Sequence, residues 1–191
     1  MALKLEVSPA VEPVSVAEVK ERLKVEHTDE DILIAALIAS ARAKIELRTK
    51  RNLITQEWTY LVDSWPQSGV LHLPLTPVQS LVSVSVTASD QMAQPVDLAG
   101  FELDGTADRP RLGFNLQDVP RPGVSMNGIA IRFRSGYGDI ADYVPSNLRE
   151  AIYLLVAHWY ENREPGIADG MPLPLPGPVE TLMAPFRVMA L

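Results

Sequence analysis

The sequence predicts an α+β fold: a helical bundle formed by N-terminal and C-terminal helices, with a small antiparallel β-sandwich or partial barrel inserted between them. Three observations predict it. Apolar residues recur with helical spacing up to Lys50 and again after Pro145. From Leu53 to Arg134 the period changes to two. Gly and Pro punctuate that middle stretch, at Pro95, Gly100, Gly105, Pro120, Pro122 and Gly123. The expected organisation is a helical core from 1–52 and 136–170, a β insertion over 53–135, and an extended proline-rich C-terminal docking segment over 171–191.

Residues 1–14 read as extended, with Pro9 and Pro13 fixing the backbone. Ser15 followed by Glu18 is a capping box, because the serine hydroxyl can cap the backbone and the glutamate can reach back. A helix of about ten residues should follow, to roughly Val25. Thr28 is the next cap candidate, with Asp29, Glu30 and Asp31 in the first turn of a helix that runs to about Lys50. Ile34, Leu37, Ile38, Ala41 and Ile45 mark its buried stripe. Ala35, Ala36, Ala39 and Ala43 make a second, small-residue face that another helix can approach closely. Arg42, Lys44, Arg48, Lys50 and Arg51 crowd the far end, where positive charge favours the helix dipole.

In the middle stretch, Val82, Val84 and Val86 alternate with Ser83, Ser85 and Thr87. Ile129, Ile131 and Phe133 alternate with Ala130, Arg132 and Arg134, two arginines that could pair with acids of a neighbour. These are half-buried antiparallel strands, and further strands are expected at 55–62, 70–73, 101–104 and 110–114. Gly136, Tyr137 and Gly138 make a turn, and Ser146 is the expected cap of the next helix. That helix carries Leu148, Ile152, Leu155 and Trp159 on one stripe, with Ala151, Tyr153, Leu154 and Val156 also apolar, so it should be covered on several sides. Pro172, Pro174, Pro176 and Pro178 suit an extended linker. A last short amphipathic helix or turn carries Val179, Leu182, Met183, Phe186 and Val188; few local partners are in view for it, so it is expected to dock elsewhere.

Composition excludes several classes. The chain has 191 residues, 47% of them hydrophobic, enough for a sizeable core and too many for general disorder. It has no cysteine, so thiol catalysis and Cys-ligated zinc are excluded. A net charge of -7 argues against a nucleic-acid coat. The uncharged stretch Ser64–Ser89 is broken by Pro66, Pro74 and Pro77 and does not read as a membrane span. Residues 1–20 do not read as a secretory signal, so a soluble chain made inside the cell is expected.

No chemistry stands out. His27, His72 and His158 do not share metal-ligand spacing, and His158 beside Trp159 reads as a core or interface histidine. The acidic groups at Glu26–Asp31 and Asp104–Asp108 read as caps and turns. Gly136-Tyr137-Gly138-Asp139 has no Gly-Lys-Ser/Thr after it and reads as a hinge, not a phosphate loop. The basic group Arg42–Arg51 could touch nucleic acid, but reads as a charged helix end. No catalytic residue, cofactor site or metal site is assigned, and the profile is that of an assembly component.

Several segments carry a resemblance. They are Pro13-Val14-Ser15-Val16-Ala17-Glu18-Val19-Lys20, Asp29-Glu30-Asp31-Ile32-Leu33-Ile34 and Arg51-Asn52-Leu53-Ile54-Thr55-Gln56-Glu57-Trp58. Gly136-Tyr137-Gly138-Asp139 with Val144-Pro145, Ala151-Ile152 through His158-Trp159-Tyr160-Glu161-Asn162-Arg163-Glu164, and Leu182-Met183-Ala184-Pro185-Phe186-Arg187-Val188 complete the set. In this order and spacing the chain resembles the head–tail connector (adaptor) proteins of long-tailed phages, prophages and gene transfer agents.

The resemblance implies a virion structural protein at the head–tail junction of a phage-like particle. It implies a homo-oligomeric ring, matching the portal's twelvefold symmetry, that extends the DNA channel. The implied partners are the portal protein, a stopper or tail-terminator protein, and DNA that passes without specific binding; no membrane, cofactor or enzymatic activity is implied. Portal docking is expected from Leu182, Met183, Phe186 and Val188, and the subunit interface from Arg42, Leu154, His158 and Trp159. Truncation after Gly170 is expected to abolish docking and leave the fold intact. The alternatives are another morphogenesis ring (stopper or tail terminator), a ligand-binding β module, or an enzyme.

Overall fold

A computed structural model of the chain describes residues 2–162 and 175–188. It is α+β and divides into two compact units: one of residues 1–10 and 55–137, the other of residues 11–54 and 138–191.

The first unit is built of antiparallel strands. Its larger sheet has the order β1-β2-β8-β4-β5, from β1 (Ala2–Val7), β2 (Gln56–Val62), β8 (Ile129–Ser135), β4 (Val78–Thr87) and β5 (Ala93–Val96). A smaller sheet has the order β3-β7-β6, from β3 (Val70–His72), β7 (Arg111–Phe114) and β6 (Phe101–Asp104). The six strands expected from period-two patterning are all present. Two more join them. β1 pairs with β2 in the register Leu3↔Tyr60 and Leu5↔Trp58, so the N-terminal segment belongs to this unit and not to the helical core. β5 pairs with β4 and is an edge strand, where the missing N–H of Pro95 is tolerated.

Both sheets contribute to one apolar cluster. Ile129, Ile131 and Phe133 of β8 are fully buried in it, with Val84 and Val86 of β4 and Leu112 of β7. Trp65, Phe101 and Phe114 form a three-ring group with centroids 4.7 to 6.0 Å apart. The Trp65 indole N–H donates to the carbonyl of Pro120 at 2.8 Å. The opposite face of the larger sheet is polar. Glu57, only 9% exposed, accepts from Arg132 Nε at 2.9 Å and from Arg134 Nε at 2.8 Å. The two arginines of β8 thus pair with an acid on the adjacent strand.

The second unit is helical. α1 (Val16–Leu23) begins at the expected capping box: Ser15 Oγ accepts from the Glu18 N–H at 3.2 Å, and Glu18 Oε2 accepts from the Ser15 N–H at 2.7 Å. α2 (Asp31–Thr49) is capped at Glu30, not at Thr28. Thr28 contributes its carbonyl, which accepts from the Asp31 N–H, while its hydroxyl makes no cap. Ile34, Ile38, Ala41 and Ile45 of α2 are buried as expected, joined by Thr49, while Leu37 is half-buried. α1 and α2 are followed by Lys24 and Lys50, both in the left-handed region, with φ of 56° and 59°. α3 (Ser146–Glu161) starts one residue after Pro145, so Ser146 lies inside the helix and does not cap it. Its buried residues are Leu148, Ala151, Ile152, Leu155 and Val156, and it packs against α2. Before it, a Cβ on Gly138 would come within 2.2 Å of the Tyr143 ring, which explains a glycine there.

α4 (Gly177–Met183) corrects one expectation. It packs on α3, and Val179 and Met183 are completely buried. Pro176 is its N-cap and Pro178 stands in its first turn, where a missing N–H removes no helical bond. The segment beyond is tied down too: Arg51 Nε donates to the Phe186 carbonyl at 2.7 Å, and the Val188 N–H donates to the Thr49 carbonyl. Within 171–191, then, the described residues 175–188 form a packed helix and turn, not an extended arm. Removing them would open the core of the helical unit, so truncation after Gly170 cannot leave the fold intact. Pro172 and Pro174 lie outside the described residues. Among those described, no helix is long and apolar enough to cross a membrane.

Two predictions follow from this packing. Met183→Ala should cost about 2–5 kcal/mol of stability, as for other buried Met, Leu or Ile truncations, while the half-buried Leu182→Ala costs clearly less. Denaturant midpoints of the two variants compare them directly; equal losses would contradict the packed α4. The second concerns Glu57, whose carboxyl is held below its usual range by its hydrogen bond to Arg134, then by Arg132. A carboxylate lowered in the folded state stabilises above the unfolded pKa of about 4.3 and loses that contribution as pH falls through the folded value. Glu57→Gln should therefore lower stability at pH 7 and flatten its decline below about pH 4.3, measured as denaturant midpoint against pH.

Candidate functional site

The features that could serve function are surfaces. On the helical unit, α1 and α3 enclose an open groove of about 450 Å³. Val19 and Leu23 of α1 form one wall, and Tyr153, Leu154, Ala157 and Tyr160 of α3 form the other. Helical spacing explains the α3 wall: residues 153, 157 and 160 fall at i, i+4 and i+7, away from the buried stripe of 148, 152 and 155.

Charge fixes the groove's rim. The Arg22 guanidinium lies 3.9 Å over the Tyr153 ring, in cation–π contact, and donates to Glu150 at 2.7 Å. Arg149 reaches Glu18 at 2.9 Å and Asp142 at 3.6 Å. The N–H and hydroxyl of Ser15 hold the Glu18 carboxyl below its usual range. Partial burial, with the nearby Glu18 charge, pushes the Tyr153 phenol up. The Tyr160 hydroxyl donates to Glu30 at the start of α2.

The expected interface residues fall in different places. Leu154 lines the groove, half-buried. His158 and Trp159 are also half-buried on α3, and the side chain of Asn162 donates to the His158 carbonyl at 2.8 Å. Arg42 is spent within the chain, on Glu12 at 2.8 Å and Glu46 at 2.9 Å. Of the expected docking residues, Met183 is in the core, while Leu182, Phe186 and Val188 are half-buried. Tyr153 and Tyr160 are not among the expected interface residues; with Ala157 they fall at i, i+4 and i+7 on α3, which was the available signal, while Leu23 on α1 had none.

On α2, the outward face carries Ile32, 87% exposed, and Leu47, 65% exposed. Ala36 and Ala43 lie exposed between them, with Ala35 also exposed and Ala39 half-buried.

The β unit carries smaller grooves. One, of about 340 Å³, is lined by Glu102, Asp104 and Arg111, but Asp104 and Arg111 are spent on each other at 2.9 Å. Another, of about 360 Å³, lies beside Trp65, Val119 and Arg121. Among the described residues, no group of three or more His, Cys, Asp or Glu is placed to hold a metal ion. The geometry presents apolar walls and satisfied ion pairs, which suit protein contacts.

Comparison with known proteins agrees. Residues 13–96 match the family of phage gp6-like head-tail connector proteins. A search of curated proteins finds no match. Among solved structures, the chain is similar to one from the neck of an empty GTA particle computed with C6 symmetry, with TM-score 0.84 and 26% identity. It is similar to a chain from the virion of a native gene transfer agent (GTA) particle, with TM-score 0.84 and 25% identity. A third, from the neck of a native GTA particle computed with C12 symmetry, gives TM-score 0.81 and 26% identity. Each match covers 100% of this chain and 97% of the other. The family match over residues 13–96 and the whole-length likeness to chains of gene transfer agent necks and virions together support a head–tail connector structural role.

Proposed function

We propose that this chain is a head–tail connector that works as a ring of identical subunits at the head–tail junction of a phage-like particle. In this reading the ring sits beneath the portal, extends the DNA channel and joins the head to the stopper or tail. The observation that carries it is the likeness, over the whole chain, to chains of particle necks computed with C6 and C12 symmetry. Within the ring we read the helical unit as a bundle and the two sheets of the other unit as a small sandwich.

Leu154, His158 and Trp159, partly exposed on α3, are proposed to contribute to the subunit interface. Arg42 would act indirectly, by holding Glu12 and Glu46 in place. Leu182, Phe186 and Val188 are proposed to meet the portal; Met183 could join them only by leaving its core. The function is mechanical, and its energy is that of burying apolar surface between subunits, about 25 cal/mol per Å².

A net charge of -7 suits a channel wall that DNA slides past. Proteins that grip DNA through phosphate contacts bind with steep salt dependence.

Mass determination by light scattering, on the protein alone and then mixed with its portal, tests the ring. The expected species has about twelve times the mass of the monomer, either free or seated on the portal. A monomer that ignores the portal would overturn the reading; a ring that binds a tail component and never the portal would favour the stopper or terminator alternative. A second measurement is fluorescence anisotropy with labelled duplex DNA. We expect no salt-sensitive binding, and micromolar affinity at physiological salt would remove the passive-wall reading.

A further inference from the structure

The outward face of α2 is unusual for a soluble helix. Ile32, Ala36, Ala43 and Leu47 fall at i, i+4, i+11 and i+15, one continuous stripe of about 22 Å at 1.5 Å per residue. Its two large residues are 87% and 65% exposed. At 100° per residue the stripe lies roughly 180° from the buried stripe of Ile34, Ile38, Ala41 and Ile45. The helix is apolar on both sides, and among the described residues only one side is covered.

We propose that this stripe is one half of the contact between neighbouring copies of the connector, and that the α1–α3 groove of the next copy is the other half. The inference rests on the ring reading above and deepens it by naming the faces. Three observations select a second copy as the occupant. The chain resembles necks computed with C6 and C12 symmetry, where like subunits repeat around an axis. A rotational ring needs two different, complementary faces on each subunit, and this unit offers a projecting apolar helix face and a groove of about 450 Å³ whose apolar walls are rimmed by Arg22, Lys24 and Glu161. A copy cannot fill its own groove, because the stripe points away from the face by which α2 packs into its own unit. The alanines at 36 and 43 allow close helix approach, while Ile32 and Leu47 provide side chains to insert between Leu23, Leu154 and Ala157.

The absence of cysteine makes the test direct. In the full chain, Ala36→Cys on the stripe and Ala157→Cys in the groove are made singly and together. Rings assembled alone or on the portal are treated with a short bismaleimide and run on denaturing gels. The double variant should give a ladder from dimer upward, and either single variant should stay monomeric. Rings without a ladder would overturn the proposed faces and leave the ring reading standing. Dimers from Ala36→Cys alone would mean that stripes pack on each other, and cross-links to portal or stopper would assign the stripe to that partner; both overturn the proposal. Absence of rings under every condition would sink the ring reading itself. Ile32→Asp provides a second measurement. It should keep the helical circular dichroism and melting transition of the parent and lose ring formation, and retention of full ring assembly would overturn the proposal.

Discussion

The pairing of β2 with β8 is the constraint on which the rest of the chain depends. Gln56 opposes Ser135, so the strand that enters the β unit and the strand that leaves it lie side by side. Thr55 and Tyr137, the bounds of that stretch, are therefore held close together. The segments between β2 and β8 can be elaborated without moving those two bounds. This matters because α2 and α3, which build the helical core, flank the entire stretch. Free in an unfolded chain, their ends would be separated by a long loop with a corresponding closure entropy. Once β2 and β8 pair, that loop is already closed.

The same pair organises both faces of its sheet. Trp58, Tyr60 and Val62 stand opposite Phe133, Ile131 and Ile129, on the side of the apolar cluster. Glu57 stands opposite Arg134 on the other side and takes both arginines. A nearly buried carboxylate needs such partners, because an unpaired charge there is expensive. Its two guanidiniums are half in solvent, where a single pair would contribute little. Two donors on one carboxylate hold three strand positions in register, which is a contribution to geometry more than to stability.

Local signals in the sequence were legible and long-range ones were not. The Ser15–Glu18 box needs only four residues and formed as read. The alternation in β4 and β8 was legible because each has one buried face. β1 also alternates, Leu3, Leu5 and Val7 against Lys4 and Glu6, but its partner lies fifty or more positions away, and residues 1–14 were read only as an extended stretch of the helical core. Thr28 missed its cap because α2 starts with a backbone bond to the Thr28 carbonyl instead. The C-terminal prolines were read as a linker, yet Pro176 and Pro178 open a helix. Val179, Leu182 and Met183, at i, i+3 and i+4, already carried that helix's pattern. Of the surfaces, Leu154 in the groove was in view, while the stripe on α2 was seen only through its alanines.

The composition of that stripe follows from what a subunit must do before and after assembly. A face rich in leucine would bind strongly and would also aggregate, since large exposed apolar patches mark interaction sites and liabilities alike. Alanine at 36 and 43 keeps the exposed apolar area small in the free chain, and the helix loses nothing, because alanine is the best helix former. Ile32 and Leu47 then concentrate the apolar surface at two points about four turns apart. Each contact is modest, and a ring multiplies it around the axis. Closure adds a further gain, since the last subunit makes two contacts while losing its freedom once. A weak, repeated contact of this kind can leave free subunits separate at low concentration and still hold a closed ring.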